Sequence, residues 1–275
     1  MEKFEEVERS LIKKFRSTIW RKFVRGVSEY DMIQPGDKIA VCISGGKDSM
    51  LLAKCIQELQ KHWLVKFDAE FIVMDPGYAK QNRALIESNA KLLNIPIKIF
   101  ESDIFESVEN ITDSPCYLCA RMRRGCLYEY AQSLGCNKIA LGHHFDDAIE
   151  TILISMFYGA EYKTMMPKLK STSHIGMELI RPMYLIKEED IIHWRDYHEL
   201  EFLRCACKLT EKTETGEMES KRKEVKELIA KLKQNYENID INIFRSIHNV
   251  NLDTVIGYKQ DGKTISFLDK YKDKK

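Results

Sequence analysis

The sequence predicts an α/β fold, a parallel sheet with helices on both faces, on two grounds. Short β-rich runs alternate with helical stretches, and the first run, the apolar "KIAVCIS" (38–44), breaks into a glycine turn that opens directly into a helix. In order, "KIAVCIS" leads into a helix over 49–61, "AEFIVMD" into 79–93, "PIKIFE" through a loop into 119–134, "NKIALGH" into 147–158 and "ELIRPM" into 188–199. Right-handed crossovers gather the loops that follow such strands at one edge of the sheet, where ligands bind. Ahead of the sheet, "RSLIKKFRSTIWRKFVR" (9–25) carries seven basic residues, Lys22 and Arg25 among them, and no acid. Interleaved with Leu11, Ile12, Phe15, Ile19, Trp20 and Phe23, they predict one amphipathic helix whose basic face meets either phosphates or only solvent. Residues 210–237 read as a highly charged helix, 240–256 as amphipathic, and the end of the chain as a hairpin or a loose basic tail. The expected organisation is an N-terminal basic helix (1–35), an α/β domain with a cysteine cluster (36–208) and a C-terminal helical extension with a tail (209–275).

Composition narrows the class. With 275 residues, 44% of them hydrophobic, the chain can bury a substantial core. A net charge of +1 gives no global pull toward nucleic acid, so any such attraction has to be local. "MEKFEEVERS" lacks the apolar segment of a signal peptide, and no run approaches the roughly 18 apolar residues of a membrane span. A cytoplasmic protein with no membrane partner is therefore expected. In a reducing compartment, eight cysteines point to metal binding or catalysis rather than disulfides.

The glycine turn carries the first chemistry. In "SGGKDS", Gly45 and Gly46 allow close backbone approach to a ligand, and the unpaired N–H groups of the following helical turn aim at the same place. Ser44 and Ser49 add hydroxyls, Lys47 adds a mobile positive charge, and the whole is an anion site. The spacing is neither Gly-x4-Gly-Lys-Ser/Thr nor Gly-x-Gly-x-x-Gly, so neither a GTPase nor a dehydrogenase is indicated. The cysteines carry the second. Cys116-x-x-Cys119 stands just ahead of a predicted helix, at a spacing that lets two thiolates share one metal centre, and Cys205 and Cys207 follow far along the chain. Four thiolates suit a tetrahedral zinc, three suit an iron–sulfur cluster with an open iron, and spacing alone leaves both in play. Cys42, Cys55, Cys126 and Cys136 lie in apolar patterns and read as small core residues.

"SGGKDS" resembles the signature of the PP-loop ATP pyrophosphatases, with their adenine nucleotide α-hydrolase-like fold. Those enzymes transfer AMP from ATP to a carbonyl oxygen and release pyrophosphate. The resemblance implies that Ser44, Gly45, Gly46, Lys47, Asp48 and Ser49 grip the departing phosphates, usually with Mg²⁺. "LGHHFDDAIETILISMFYG" (141–159) resembles the second block of the PP-loop enzymes that act on tRNA. By that likeness Gly142 and His143 belong to the nucleotide pocket, and Asp146 and Asp147 hold Mg²⁺ or orient the α-phosphate, one of the pair serving as a helix cap. Asp75 in "MDPGY" falls where such proteins place the adenosine.

"PCYLCARMRRGCLY" (115–128), "MFYGAEYKTMMPKL" (156–169) and "IRPMYLIKEEDI" (180–191) resemble the tRNA 2-thiocytidine synthetase family. The likeness runs from about residue 10 to about 250. It implies a [4Fe–4S] cluster on three cysteines: Cys116, Cys119 and a third. In that family Pro-Cys-x-x-Cys stands where this chain has Arg204-Cys205-Ala206-Cys207, so the third ligand is Cys207 or Cys205, with Cys207 preferred. The exposed Arg121, Arg123 and Arg124 would hold tRNA phosphates. The implied activity is ATP-dependent thiolation of a tRNA base, cytidine at tRNA position 32 giving 2-thiocytidine, with sulfur from a cysteine desulfurase or sulfide and with a possible homodimer. The rivals are thiouridine or lysidine formation by the same fold, and a zinc- or cluster-stabilised RNA-binding protein without catalysis.

Overall fold

The computed structural model describes residues 2–63, 65–102, 104, 115–203 and 217–272. Two helices, α1 (Lys3–Ile12) and α2 (Arg21–Glu29), are joined through a π-helical turn over Arg16–Trp20. The alternating core follows: β1 (Lys38–Ile43), α3 (Lys47–His62), β2 (Asp68–Asp75), α4 (Lys80–Leu92), β3 (Ile97–Glu101), α5 (Pro115–Ser133), β4 (Lys138–Ala140) and α6 (Phe145–Gly159). Then come β5 (Lys168–Lys170), β6 (Glu178–Ile180), α7 (Glu188–Tyr197), α8 (Glu217–Lys233), α9 (Ile239–Ser246), the hairpin β7 (Gly257–Gln260) and β8 (Lys263–Ser266), and α10 (Phe267–Lys272).

Among the described residues, the main sheet has the order β3-β2-β1-β4-β6-β5. Its pairings are parallel except for β5, which runs antiparallel to β6 with Leu169 opposite Leu179. The expected parallel sheet with helices on both faces is present; the edge strand β5 is not legible in the sequence, because only three residues form it and Lys168 and Lys170 interrupt its apolar character. Burial explains the rest. In β1, Ile39 to Ile43 are all buried, as a strand covered on both faces requires. Strand order reverses between β1 and β4, and in such folds the carboxyl-edge crevice at this point is the binding place.

The amphipathic segment at 9–25 is not one helix. Phe15 donates its N–H to Ser10, and the π turn rotates the second half so that Val7, Leu11, Phe15, Ile19, Phe23 and Val27 all enter the same core as the sheet. The basic side is partly neutralised: Lys22 pairs with Asp190 at 2.8 Å and Arg25 with Glu29 at 2.8 Å. The C-terminal residues do form a hairpin, followed by the short α10. No helix among the described residues is long and apolar enough to cross a membrane.

A buried charge ties the N-terminal turn to the sheet. Lys138 is 3% exposed; its Nζ meets Asp37 at 2.7 Å and Glu178 at 3.3 Å and donates to the Met32 carbonyl at 2.9 Å. Removing one partner of such a pair leaves the other charge desolvated. Asp37→Ala should therefore lower the unfolding free energy by about 3 kcal/mol, as measured by urea denaturation, with Glu178 limiting the loss.

Candidate functional site

The site begins at Gly45. Its φ of 85° is open to glycine, and a β-carbon there would lie 2.6 Å from Ile86 Cγ1 and 2.9 Å from Leu203 Cδ1. Backbone packs against backbone at the same point, where Leu203 donates its N–H to the Gly45 carbonyl at 3.2 Å. Gly46 caps α3 in an extended conformation, and the first-turn N–H groups of α3 point beyond it. Ser49 is a brace for the turn: its hydroxyl accepts from Ser44 N–H at 3.2 Å and donates to the Gly46 carbonyl at 3.0 Å. The exposed Ser44 lines the cavity together with Ser49, to whose hydroxyl its own donates at 3.2 Å.

Across the cleft, the loop after β4 comes equally close. A β-carbon on Gly142 would sit 3.1 Å from Ser49 N, so the loop over 141–144 lies against the first turn of α3. Between them opens a cavity of about 430 Å³. Its wall includes Ser44, Lys47 and Asp48 from the turn, Gly142, His143, His144, Asp147 and Glu150 from the second block, and Arg123 and Leu127 from α5. Three further residues were not singled out in the sequence: Glu188 at the start of α7, within the block at 180–191, and Arg222 and Lys226 on α8. The position of Glu188 directly after the β6 loop was the available signal. The charged pattern of α8 shows a helix but not which of its cations turn inward.

The charges interlock. Lys47 Nζ lies 3.1 Å from Asp48 Oδ1 and 3.2 Å from Glu188 Oε1, while Lys226 binds the other oxygen of Glu188. Burial would push the Glu188 carboxyl up, but Lys226 and Lys47 outweigh it and hold it down at about 2. Arg222 meets Glu150 at 3.0 Å and Asp147 at 3.5 Å. Burial raises Glu150 to about 7 even so. Burial, with Arg181 adding to it, lowers His143 to about 4. His143 Nδ1 accepts from Arg181 Nε at 3.2 Å, so the neutral ring carries its proton on Nε2.

Several expected roles change. Both aspartates of the pair hold backbone: Asp147 accepts the His144 N–H at 2.9 Å as the cap of α6, and Asp146 accepts the Glu188 N–H at 2.7 Å. Asp75 is 5% exposed and occupied, since it accepts from Gly77 N–H at 3.0 Å and Tyr78 N–H at 2.7 Å and pairs with Arg83 at 3.1 Å. It fixes the shape of the loop after β2. Among the described residues, no three His, Cys, Asp or Glu side chains converge as a metal site. A Mg²⁺ at Asp146 or Asp147 would thus depend on phosphate oxygens of the nucleotide for further ligands, which is how Mg²⁺ commonly binds.

Cys116 and Cys119 lie within the first turn of α5 rather than ahead of it, because Pro115 is tolerated at the first helical position. Helical register puts 116, 119, 123 and 127 on one face, the face that brings Arg123 and Leu127 to the cavity. Arg121 and Arg124 are exposed and diverge from Arg123, which is half-buried in the cavity wall. Cys205 and Cys207 lie outside the described residues, and the chain enters that segment from Leu203, which is bonded to Gly45. Cys42, Cys55 and Cys136 are buried thiols; Cys42 reaches the cavity floor, where burial pushes it up to about 12. Cys126 is only half-buried.

Two outcomes follow from this geometry. Gly45→Ala combines a strained backbone with an overlap against Ile86, so a loss of about 2 kcal/mol in thermal unfolding is expected. For Glu150, folding raises the carboxyl from 4.5 to about 7, so between those values the folded protein binds more protons than the unfolded chain. Stability should fall as pH rises through that window, and Glu150→Gln should flatten the fall in a series of melting temperatures.

Residues 16–210 match the PP-loop domain, an ATP-binding family. The tRNA-cytidine(32) 2-sulfurtransferase of Neisseria meningitidis serogroup C is 38% identical over 187 residues, 65% of this chain and 57% of that protein. The chain thus spans a little over half the length of that curated relative. The enzyme of the same name from Janthinobacterium sp. is 32% identical over 262 residues, 93% of this chain and 78% of the relative. Among solved structures, the U34-tRNA thiolase NcsA from Methanococcus maripaludis with its [4Fe-4S] cluster superposes with a TM-score of 0.65 at 21% identity, over 83% of this chain and 77% of that one, a likeness of fold. The chain belongs to the PP-loop family, in the branch whose curated members are named tRNA-cytidine(32) 2-sulfurtransferases.

Proposed function

We propose that this protein is an ATP-dependent tRNA sulfurtransferase that converts a cytidine, at tRNA position 32, to 2-thiocytidine. The observation that carries the reading is the two-sided cavity. One wall is the glycine turn at 44–46, and the other is the face of α5 that carries Arg123 and Leu127 in register with Cys119 and Cys116. Oxygen on a pyrimidine ring is a poor leaving group, and AMP is a good one. The first step therefore has the base O2 attack the α-phosphorus of ATP as the bond to pyrophosphate breaks. Lys47 and the N–H groups of the first turn of α3 meet the charge that collects on the departing phosphates, in fixed positions that need no rearrangement. Asp48 lies against Lys47 and holds its ammonium over the turn. The adenosine would rest toward the loop after β2, whose Met74 lines the cavity; because Asp75 is occupied, contacts to the adenosine fall to the backbone there.

In the second step sulfur attacks C2, and AMP departs with the original oxygen. Cys116, Cys119 and Cys207, with Cys205 as the alternative third, would hold a [4Fe–4S] cluster, which supplies an iron with an open position for sulfide; zinc would not carry sulfide in this way. Two thiolates one helical turn apart fit such a centre, and Arg123 on the same face would meet the phosphate of the flipped nucleotide. An anticodon-loop base can leave its stack at low cost, as reaching a reactive centre inside a cleft demands. Arg121 and Arg124, with the basic residues of α1 and α2, would hold the tRNA backbone. The sulfur comes as sulfide, or from a desulfurase's persulfide with a two-electron thiol reductant that releases it as sulfide; Mg²⁺ accompanies ATP, and the setting is the cytoplasm.

Anaerobic purification followed by iron and labile-sulfide analysis, then mass spectrometry of nucleosides from tRNA incubated with ATP and sulfide, tests the reading. Iron near four per chain and a new 2-thiocytidine are expected; zinc without iron, or no pyrophosphate release with tRNA, would refute it. Lys47→Ala should cut pyrophosphate release by about 100-fold or more while tRNA affinity changes little.

A further inference from the structure

The cavity's cations do not all come from the PP-loop domain. The family match ends at residue 210, and α8 begins beyond it, yet Arg222 and Lys226 both line the cavity. Four residues apart, they share one face of α8 with the buried Val225 and Ile229, three and seven residues on from Arg222, which anchor that face against the core. Both cations are bound to carboxylates of the cavity wall rather than to one another's helix. Lys226 and Lys47 take the two oxygens of Glu188, so a single carboxylate bridges the lysine of the glycine turn and the lysine of the C-terminal helix. Arg222 spans Glu150 and Asp147. The backbone of Glu188 is itself fixed, since its N–H bonds Asp146.

A carboxylate shared by two ammonium groups marks a place where a phosphoryl oxygen is accepted on the same terms: equal sign, equal donors, similar reach. The Arg222 fork is likewise suited to two oxygens of one phosphate. Resting on the reading of this cavity as the ATP site, we propose that Arg222 and Lys226 bind the β- and γ-phosphates of ATP, with Glu188 and Glu150 as their resident anions in the nucleotide-free protein. Arrival of the triphosphate transfers Lys47, Lys226 and Arg222 from carboxylate to phosphate. The helix beyond the PP-loop domain thereby supplies the cations on the pyrophosphate side of the site.

Calorimetric titration of the full chain with ATP, AMP and inorganic pyrophosphate tests this. Arg222→Ala and Lys226→Ala should each weaken ATP and pyrophosphate by about 10-fold, the double variant by more, and AMP by less than about twofold. Arg222→Lys, which keeps the charge and loses the fork, should fall between. It also serves if the alanine variant does not fold, which thermal melting will show. Equal weakening of ATP and AMP, an unchanged ATP affinity in the double variant, or a loss confined to tRNA affinity would each overturn the proposal. So would a wild-type protein that binds no ATP. If the wild type binds ATP and pyrophosphate with the expected dependence on α8 but releases no pyrophosphate with tRNA, the thiolation reading fails and this one stands.

Discussion

Everything at the site depends on one place that has no room for a side chain. At Gly45 the chain turns with a positive φ while Ile86 of α4 and Leu203 press on it from two sides. That crowding aims the first turn of α3 into the cleft and ties two distant stretches of chain to the turn. Gly142 repeats the device from the other wall, bringing the loop after β4 onto the same helical turn. These two crowded positions, Gly45 with its positive φ and Gly142 with its tight approach to the first turn of α3, set the width of the cavity between them.

The cavity is nearly balanced in charge rather than uniformly basic. Lys47, Arg123, Arg222 and Lys226 face Asp48, Asp147, Glu150 and Glu188. Buried ion pairs add little net stability, because desolvation offsets attraction, but they hold long side chains in register. Here the acids keep the cations extended over an otherwise empty space, so an arriving phosphate finds donors already in place. Glu150 is the weak member: burial keeps it titrating close to neutrality despite Arg222, which makes Arg222 the cation most readily given up.

The frame around the site uses the same economy of buried charge. Lys138 at the head of β4 is bound by Asp37 and Glu178, and Lys54 of α3, fully buried, reaches Glu8 of α1 at 2.7 Å. These contacts fasten the N-terminal helices to the sheet from which the site loops emerge. The N-terminal segment is thus part of the core that positions the glycine turn, with its apolar side buried in that core and most of its basic residues turned outward.

Much of this was legible in the chain itself. Alternating strands and helices, the glycine turn, the aspartate block after β4 and the close cysteine pair are local patterns, and local chemistry suffices to read them: φ freedom at glycine, unpaired N–H groups at a helix start, a spacing that lets two thiolates share one centre. Where the reading went astray, long-range packing had intervened. The π turn that splits 9–25 is imposed by the core it enters, and the edge strand at 168–170 exists because β6 is there to pair with it. Asp75 looks free in sequence but is taken up by N–H groups its folded loop presents, whereas Asp147 is the helix-capping member of the expected pair. Arg222 and Lys226 could not have been picked from their neighbours, and for Glu188 only its place after the β6 loop gave a hint. An ion pair between residues 141 positions apart, as Lys47 and Glu188 are, is decided by where the sheet delivers its loops and not by any spacing along the chain.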